Sequence, residues 1–190
     1  MNLGLRFIEL IVFLVTAILT VILAIQLIRY SFKKIPFPKK LTMATAAGPT
    51  LLLAIFIYIQ YFFTFGLIEK DNMQPGVGPI FSLNETYAAT VYYEPYGGVL
   101  GGVNVWMEVK NEKEDSTKIV YYADAKSEVV VHWEDDTTLA ITNVDPNDPN
   151  DPNINRNITL KIEHEIYHEN GLACQSLLLL SSYETCYQYE

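Results

Sequence analysis

Two long apolar runs, Leu5 to Leu27 and Leu41 to Leu67, constrain this 190-residue chain more than any other feature. A helix rises 1.5 Å per residue, so about 20 apolar residues suffice to cross about 30 Å of hydrocarbon. The first run is interrupted only by Arg6 and Glu9 near its start and Gln26 near its end, and the second holds no charged residue. We therefore expect two transmembrane helices, over about 5–28 and 41–67, forming a membrane anchor from residue 1 to 68. A cleavable signal peptide is the competing reading of the first run. The anchor is preferred because the run is long, no small-x-small cleavage pattern follows it, and a basic stretch closes it. In the second run Pro49 is expected to kink the helix or to mark its start. The small residues around Gly48 would let the two helices approach closely. Tyr58, Tyr61, Phe62, Phe63 and Phe65 form an aromatic end suited to a membrane interface.

The segment between the runs, residues 29–40, carries Arg29, Lys33, Lys34, Lys39 and Lys40 and no acidic residue. Positive loops stay in the cytoplasm, so these five residues are read as topology determinants. A site for anionic lipid in the same loop is the weaker alternative. The expected localisation is the cell membrane, with two spans and both termini extracytoplasmic.

Charge divides the chain at the same place. Residues 1–68 balance at +5 and residues 69–190 at −14, together the chain's −9. An acidic domain repels nucleic acid phosphates and anionic lipid, which leaves the bilayer around the anchor and a protein or cell-wall component as the expected partners. Beyond Glu69 the pattern changes to period two. Thr86 to Glu94 and Val103 to Val109 read as strands joined through Gly97, Gly98, Gly101 and Gly102, and further strands are expected at 118–122, 129–133, 138–142, 157–167, 172–180 and 185–189. The fold class is thus two transmembrane helices followed by a mainly-β extracytoplasmic domain, an antiparallel sheet or sandwich.

Three features carry possible chemistry. His164-Glu165-Ile166-Tyr167-His168 matches the His-Glu-x-x-His pattern of zinc hydrolases, which needs a helix to bring both histidines to one ion. Here Ile158, Leu160 and Ile162 alternate with polar residues, so a strand is expected through Ile166, and strand geometry puts the histidines about 13 Å apart. Asp145, Asp148 and Asp151, in three consecutive Asp-Pro-Asn units, are weak candidates for a cation, but the loop is read as solvated. Cys174 and Cys186 are the only cysteines; an exported setting favours a bridge, across a hairpin turning near Ser181-Ser182, over two separate thiols. His132 stands alone, and no phosphate-binding glycine motif is present. Asn84-Glu-Thr86 and Asn157-Ile-Thr159 would accept glycans only in a eukaryotic secretory pathway, and in a bacterial chain they are turn and strand residues. No catalytic set and no cofactor is expected. The function read from the residues is a non-enzymatic binding domain of the cell envelope. The alternatives are a sensor or accessory subunit of a membrane complex and, behind it, a zinc-dependent hydrolase.

The segments Ser82 to Tyr87, Tyr92-Tyr93-Glu94-Pro95-Tyr96-Gly97-Gly98, Val103 to Val109, Lys118 to Tyr122, Val131-His132-Trp133 and Leu139 to Asn143 together resemble a family of short membrane-anchored bacterial proteins, mostly Gram-positive, of unknown function. The resemblance covers residues 80–144 and implies an exported β domain without catalytic residues. A second membrane helix and a cysteine-bearing C-terminal extension depart from that pattern, so it assigns no role beyond Asn153.

Overall fold

The structure is a computed structural model describing residues 3–33, 36–62, 64–65, 70, 73–98, 101–151 and 154–189. It divides into two compact units, Met1–Gln60 and Tyr61–Glu190. In the first, α1 (Leu3–Lys33) and α2 (Lys39–Tyr61) are both long and apolar enough to cross a membrane. Their apolar side chains stand exposed, among them Phe13, Ile18, Val21, Leu53 and Phe56. The hydroxyls within these helices return to their own backbone: Thr16 donates to the Val12 carbonyl, Thr45 to Leu41 and Thr50 to Ala46. A polar group inside an apolar helix is satisfied that way without leaving it. Gly48 sits where a Cβ would fall 2.0 Å from Thr16 Oγ1, so the small residues of α2 do admit close approach of α1.

Both helices depart from the expected bounds. α1 continues through Arg29 to Lys33 and α2 starts at Lys39, so those residues and Lys40 are helical and the connection is shorter than the loop expected over 29–40. Lys34 lies outside the described residues. Pro49 is inside α2. The helix ends at Tyr61, six residues before the expected Leu67, because Phe65 belongs to the second unit, as shown below.

The second unit is mainly β. Its strands are β1 (Gln74–Pro75), β2 (Ile80–Phe81), β3 (Tyr87–Tyr96), β4 (Gly102–Asn111), β5 (Ser116–Asp124), β6 (Val130–Trp133), β7 (Thr138–Thr142), β8 (Ile158–Lys161), β9 (Glu165–His168) and β10 (Thr185–Tyr187), with two helical turns, α3 (Leu172–Gln175) and α4 (Leu177–Leu180). Among the described residues, one seven-stranded sheet runs β1-β3-β4-β5-β9-β10 with β2 also on β3, and a second runs β6-β7-β8. The β3–β4 hairpin expected from the alternation is present in register, Tyr92 opposite Trp106. Gly97 and Gly98 take φ of 74° and 64° just beyond β3, the left-handed region that a tight turn requires and glycine adopts without strain.

The larger sheet is not purely antiparallel, as expected, but mixed: β5 pairs with β9 and β9 with β10 in parallel. The segment 157–167, expected as one strand, divides because the chain changes sheets. Leu160 and Ile162 are buried in the core on the β8 side, Glu163-His164 turn, and β9 then joins the larger sheet with Ile166, Tyr167 and His168 all buried. Residues 172–180 form α3 and α4 instead of a strand. The core lies between the sheets, with Val91, Val105, Met107 and Tyr121 from one and Val131, Leu139, Ile141 and Leu160 from the other. Trp133 closes one side, its indole N–H donating to the Ile80 carbonyl at 2.9 Å while its ring stacks on Tyr87.

Candidate functional site

Alternation sends every second residue of β3, β4 and β5 away from the core. On this outer face the register aligns four rings in one row across four strands: Tyr92 opposite Trp106, Trp106 opposite Tyr122, and Tyr122 opposite His168. Trp106 and Tyr122 lie 4.4 Å apart between centroids, and Tyr122 and His168 4.8 Å. Glu94 accepts from the Trp106 indole N–H at 2.9 Å and from Asn104 Nδ2 at 3.2 Å, fixing the indole's orientation. Phe65 and Lys70, which follow α2 in the chain, lie against this row. Phe65 meets Trp106 edge-on at 6.3 Å and His168 at 5.5 Å, and Lys70 sits 4.9 Å over the Tyr92 ring while donating to Glu108 at 2.9 Å. Burial holds the His168 imidazole down at about 4 and raises the Tyr122 phenol to about 12, so both are neutral at pH 7. The row is an aromatic face that holds Phe65 and Lys70.

The His-Glu-x-x-His residues are not brought together. His164 is in the turn, about half exposed, with Nδ1 3.4 Å from Glu184, whereas His168 is 2% exposed at the far end of β9 under Phe65. Glu165 accepts from the Lys161 backbone N–H at 2.8 Å. About 10 Å of strand separates Glu165 from His168 at 3.3 Å per residue. In the Asp-Pro-Asn loop, successive turns place the Asp148 N–H on the Asp145 carbonyl and the Asp151 N–H on the Asp148 carbonyl, and Asp145 Oδ1 accepts from Asn147. Pro152 and Asn153 lie outside the described residues. Among the described residues no group of three His, Cys, Asp or Glu side chains could hold a metal ion. His132 is exposed on β6.

Cys174 and Cys186 are joined in a disulfide, Cα–Cα 5.1 Å, that ties α3 to β10; the expected hairpin between them is absent because β10 pairs with β9. Gly171 precedes α3 at φ 68°, and a Cβ there would fall 2.1 Å from Gln188 Oε1. The positive φ calls for glycine, whereas the exposed Gln188 side chain can swing aside.

One constellation gives little warning in the sequence. Arg156, 7% exposed, places Nε 2.5 Å from Glu169 Oε1, and its guanidinium lies 3.6 Å from the centroid of the Tyr189 ring. Glu169 Oε2 accepts from the Asp124 N–H at 2.6 Å. The Arg156 carbonyl accepts from Tyr121 Oη at 2.8 Å, and fully buried Asn143 donates to Tyr121 Oη and to the Asp124 carbonyl, each at 3.0 Å. This network joins β5, β7, the exit of the Asp-Pro-Asn loop and the C-terminal segment. Its one cue is that Arg156 is the only arginine after residue 68. A shallow cleft lies elsewhere, beside Gln74, Gly76, Tyr93, Val103 and Glu128, where Tyr93 Oη accepts from the Val129 N–H at 2.9 Å.

Residues 38–169 match the profile of a family of unknown function, DUF5412. The chain belongs to that family. The DUF5412 match takes in α2 and ends on Glu169, so it includes the aromatic row and the Arg156–Glu169 pair and extends beyond residues 80–144 in both directions. α1, α3, α4, β10 and the disulfide lie outside it. No curated protein and no solved structure matches the chain.

Proposed function

We propose that this DUF5412 chain is a cell-envelope protein, held in the membrane by α1 and α2, whose β domain lies outside the cytoplasm and binds a protein or cell-wall component without catalysing a reaction. The observation that carries this reading is the occurrence, in one chain, of two helices with exposed apolar side chains and a domain closed by the Cys174–Cys186 disulfide. Disulfides persist in oxidising compartments, and the basic residues between the helices favour a cytoplasmic turn, so both features favour the same topology. Bacterial, chiefly Gram-positive, origin is part of the same proposal and rests on the resemblance.

Impermeant maleimide labelling of intact cells tests the topology. N150C, in the exposed Asp-Pro-Asn loop, is expected to react, and S31C, near the end of α1, to be protected. Protection of N150C in intact cells, with reaction after lysis, would refute the arrangement. Crosslinking and capture of the full-length chain from its native membrane tests the binding role, with recovery of one specific protein or wall fragment expected.

The second reading, a sensor or accessory subunit of a membrane complex, is favoured by one contact set. Phe65 and Lys70 hold the segment after α2 to the outer sheet face, so a ligand altering that face would also alter the segment leading to the helix. Recovery of a transporter or kinase subunit in the same capture would select this reading. A zinc hydrolase ranks last because His164 lies in the turn before β9 and His168 at the far end of that strand.

A further inference from the structure

We propose that the leucine turn Leu177–Leu180 rests in the interfacial layer of the outer leaflet, giving the β domain a second point of attachment to the bilayer. This rests on the reading that α1 and α2 span that membrane. The turn exposes three leucines within four residues: Leu177, Leu178 and Leu180 are 58%, 48% and 50% exposed. From Asn170 to Tyr183 no residue carries a charge, although residues 69–190 balance at −14. An uncharged, leucine-bearing surface meets little electrostatic resistance at a lipid surface.

The turn is also held ready. Ser176, fully buried, caps α4 by accepting from the Leu179 N–H at 3.4 Å, and Ala173 on α3 is fully buried. The disulfide fixes α3 to β10, and Tyr183 closes the turn with Lys118 5.6 Å over its ring. A surface loop fixed in this way loses little conformational freedom when it docks. The bilayer is the nearest apolar phase. Phe65 packs on the β domain, so only three residues, 62–64, separate it from Tyr61 at the end of α2, a reach of at most about 14 Å at 3.3–3.6 Å per residue. A tether of that length keeps the domain at high effective concentration over the lipid surface, so a weak apolar contact is populated. Tyr187 and Tyr189 are partly exposed on the segment following the turn, ring types that favour the interface.

The test uses the full chain reconstituted in phosphatidylcholine vesicles with and without brominated acyl chains. Tryptophan at the turn, L178W, is compared with the unsubstituted chain, which reports Trp106 and Trp133 alone, and with V130W, an exposed position on β6. L178W is expected to show a blue-shifted emission that bromolipid quenches, most strongly from bromines placed shallowly, as suits a depth of about 5–10 Å at the headgroup and acyl boundary. V130W should not be quenched beyond the background. L180W serves if L178W lowers the unfolding temperature. A blue shift without bromolipid quenching would mean that the leucines meet protein, such as a second copy, and would overturn the inference. Unshifted, unquenched emission from a chain that resists carbonate extraction would overturn it while leaving the anchor reading intact. Extraction of the chain by carbonate would overturn both.

Discussion

Replacing Glu169 with alanine should destabilise the β domain more than any other surface-side substitution, because it strands a buried guanidinium. The Arg156 and Glu169 side chains are 7% and 13% exposed, and Nε and Oε1 are 2.5 Å apart. Removing one member of such a pair costs about 3–5 kcal/mol, since the remaining charge keeps its desolvation penalty without its partner. The Asp124 N–H would also lose its acceptor. At about 3–5 °C per kcal/mol for a domain of this size, the unfolding temperature should fall by on the order of 10–20 °C. E169Q keeps one acceptor oxygen, enough for Arg156 Nε or for the Asp124 N–H but not for both, and loses the charge, and should cost roughly 1.5–3 kcal/mol. Pairing R156M with E169L removes both charges, so the double variant should cost about 2 kcal/mol less than the sum of its singles. The assay is thermal unfolding of the full-length protein in micelles, followed by the emission of Trp106 and Trp133, both in the β domain. Raising the salt concentration should change little, because burial limits screening. A loss below about 1 kcal/mol for E169A, or strict additivity in the double variant, would refute the account of this pair as a desolvated, coupled unit.

Three further outcomes are expected. His168 has a folded pKa of about 4 against its ordinary 6.5, so its stabilising contribution is complete above about pH 6.5 and is lost as pH falls towards 4, because the unfolded chain takes up the proton first; this amounts to about 3 kcal/mol, and H168Q should flatten that part of the stability–pH curve. The paired substitution of Cys174 and Cys186 by alanine should cost about 3 kcal/mol, given a sequence separation of 12, and unfolding of the oxidised and reduced wild-type protein should differ by the same amount. Purified full-length protein should carry the same zinc content as its H164A and H168A variants; stoichiometric zinc that disappears in H164A would overturn the strand reading of that motif.

What the sequence made legible follows from how local each determinant is. The helices α1 and α2 and the β3–β4–β5 meander rest on unbroken apolar runs, on period-two alternation and on glycines at a turn, all visible within a dozen residues. The segment 157–167 misleads because its alternation continues while the chain crosses between sheets. The polar trio Glu163-His164-Glu165 is the only local sign of that crossing, and the same trio carries the false zinc motif. Residues 172–180 mislead for a different reason: by hydrophobicity alone, an apolar run of this length reads as a strand. Leucine favours helix over strand, and Ser176 stands where an N-cap belongs, so propensity held the answer that pattern obscured. The parallel pairing of β9 between β5 and β10 had no local cue, because its partners lie far along the chain, β5 more than forty residues before it and β10 about twenty after it. That pairing sets His168 beside Tyr122 and completes the aromatic row, and it brings Glu169 to the Asp124 N–H and to Arg156. Phe65 makes the same point from the other direction: counted with the aromatic end of a membrane span, it is instead drawn onto Trp106 and His168, because a row of rings on an outer sheet face offers it burial that the sequence, read in windows, cannot display. The candidate site was therefore present in the sequence as residues but not as a site. Tyr92, Trp106 and Tyr122 could each be placed on a strand, and only the register made them neighbours.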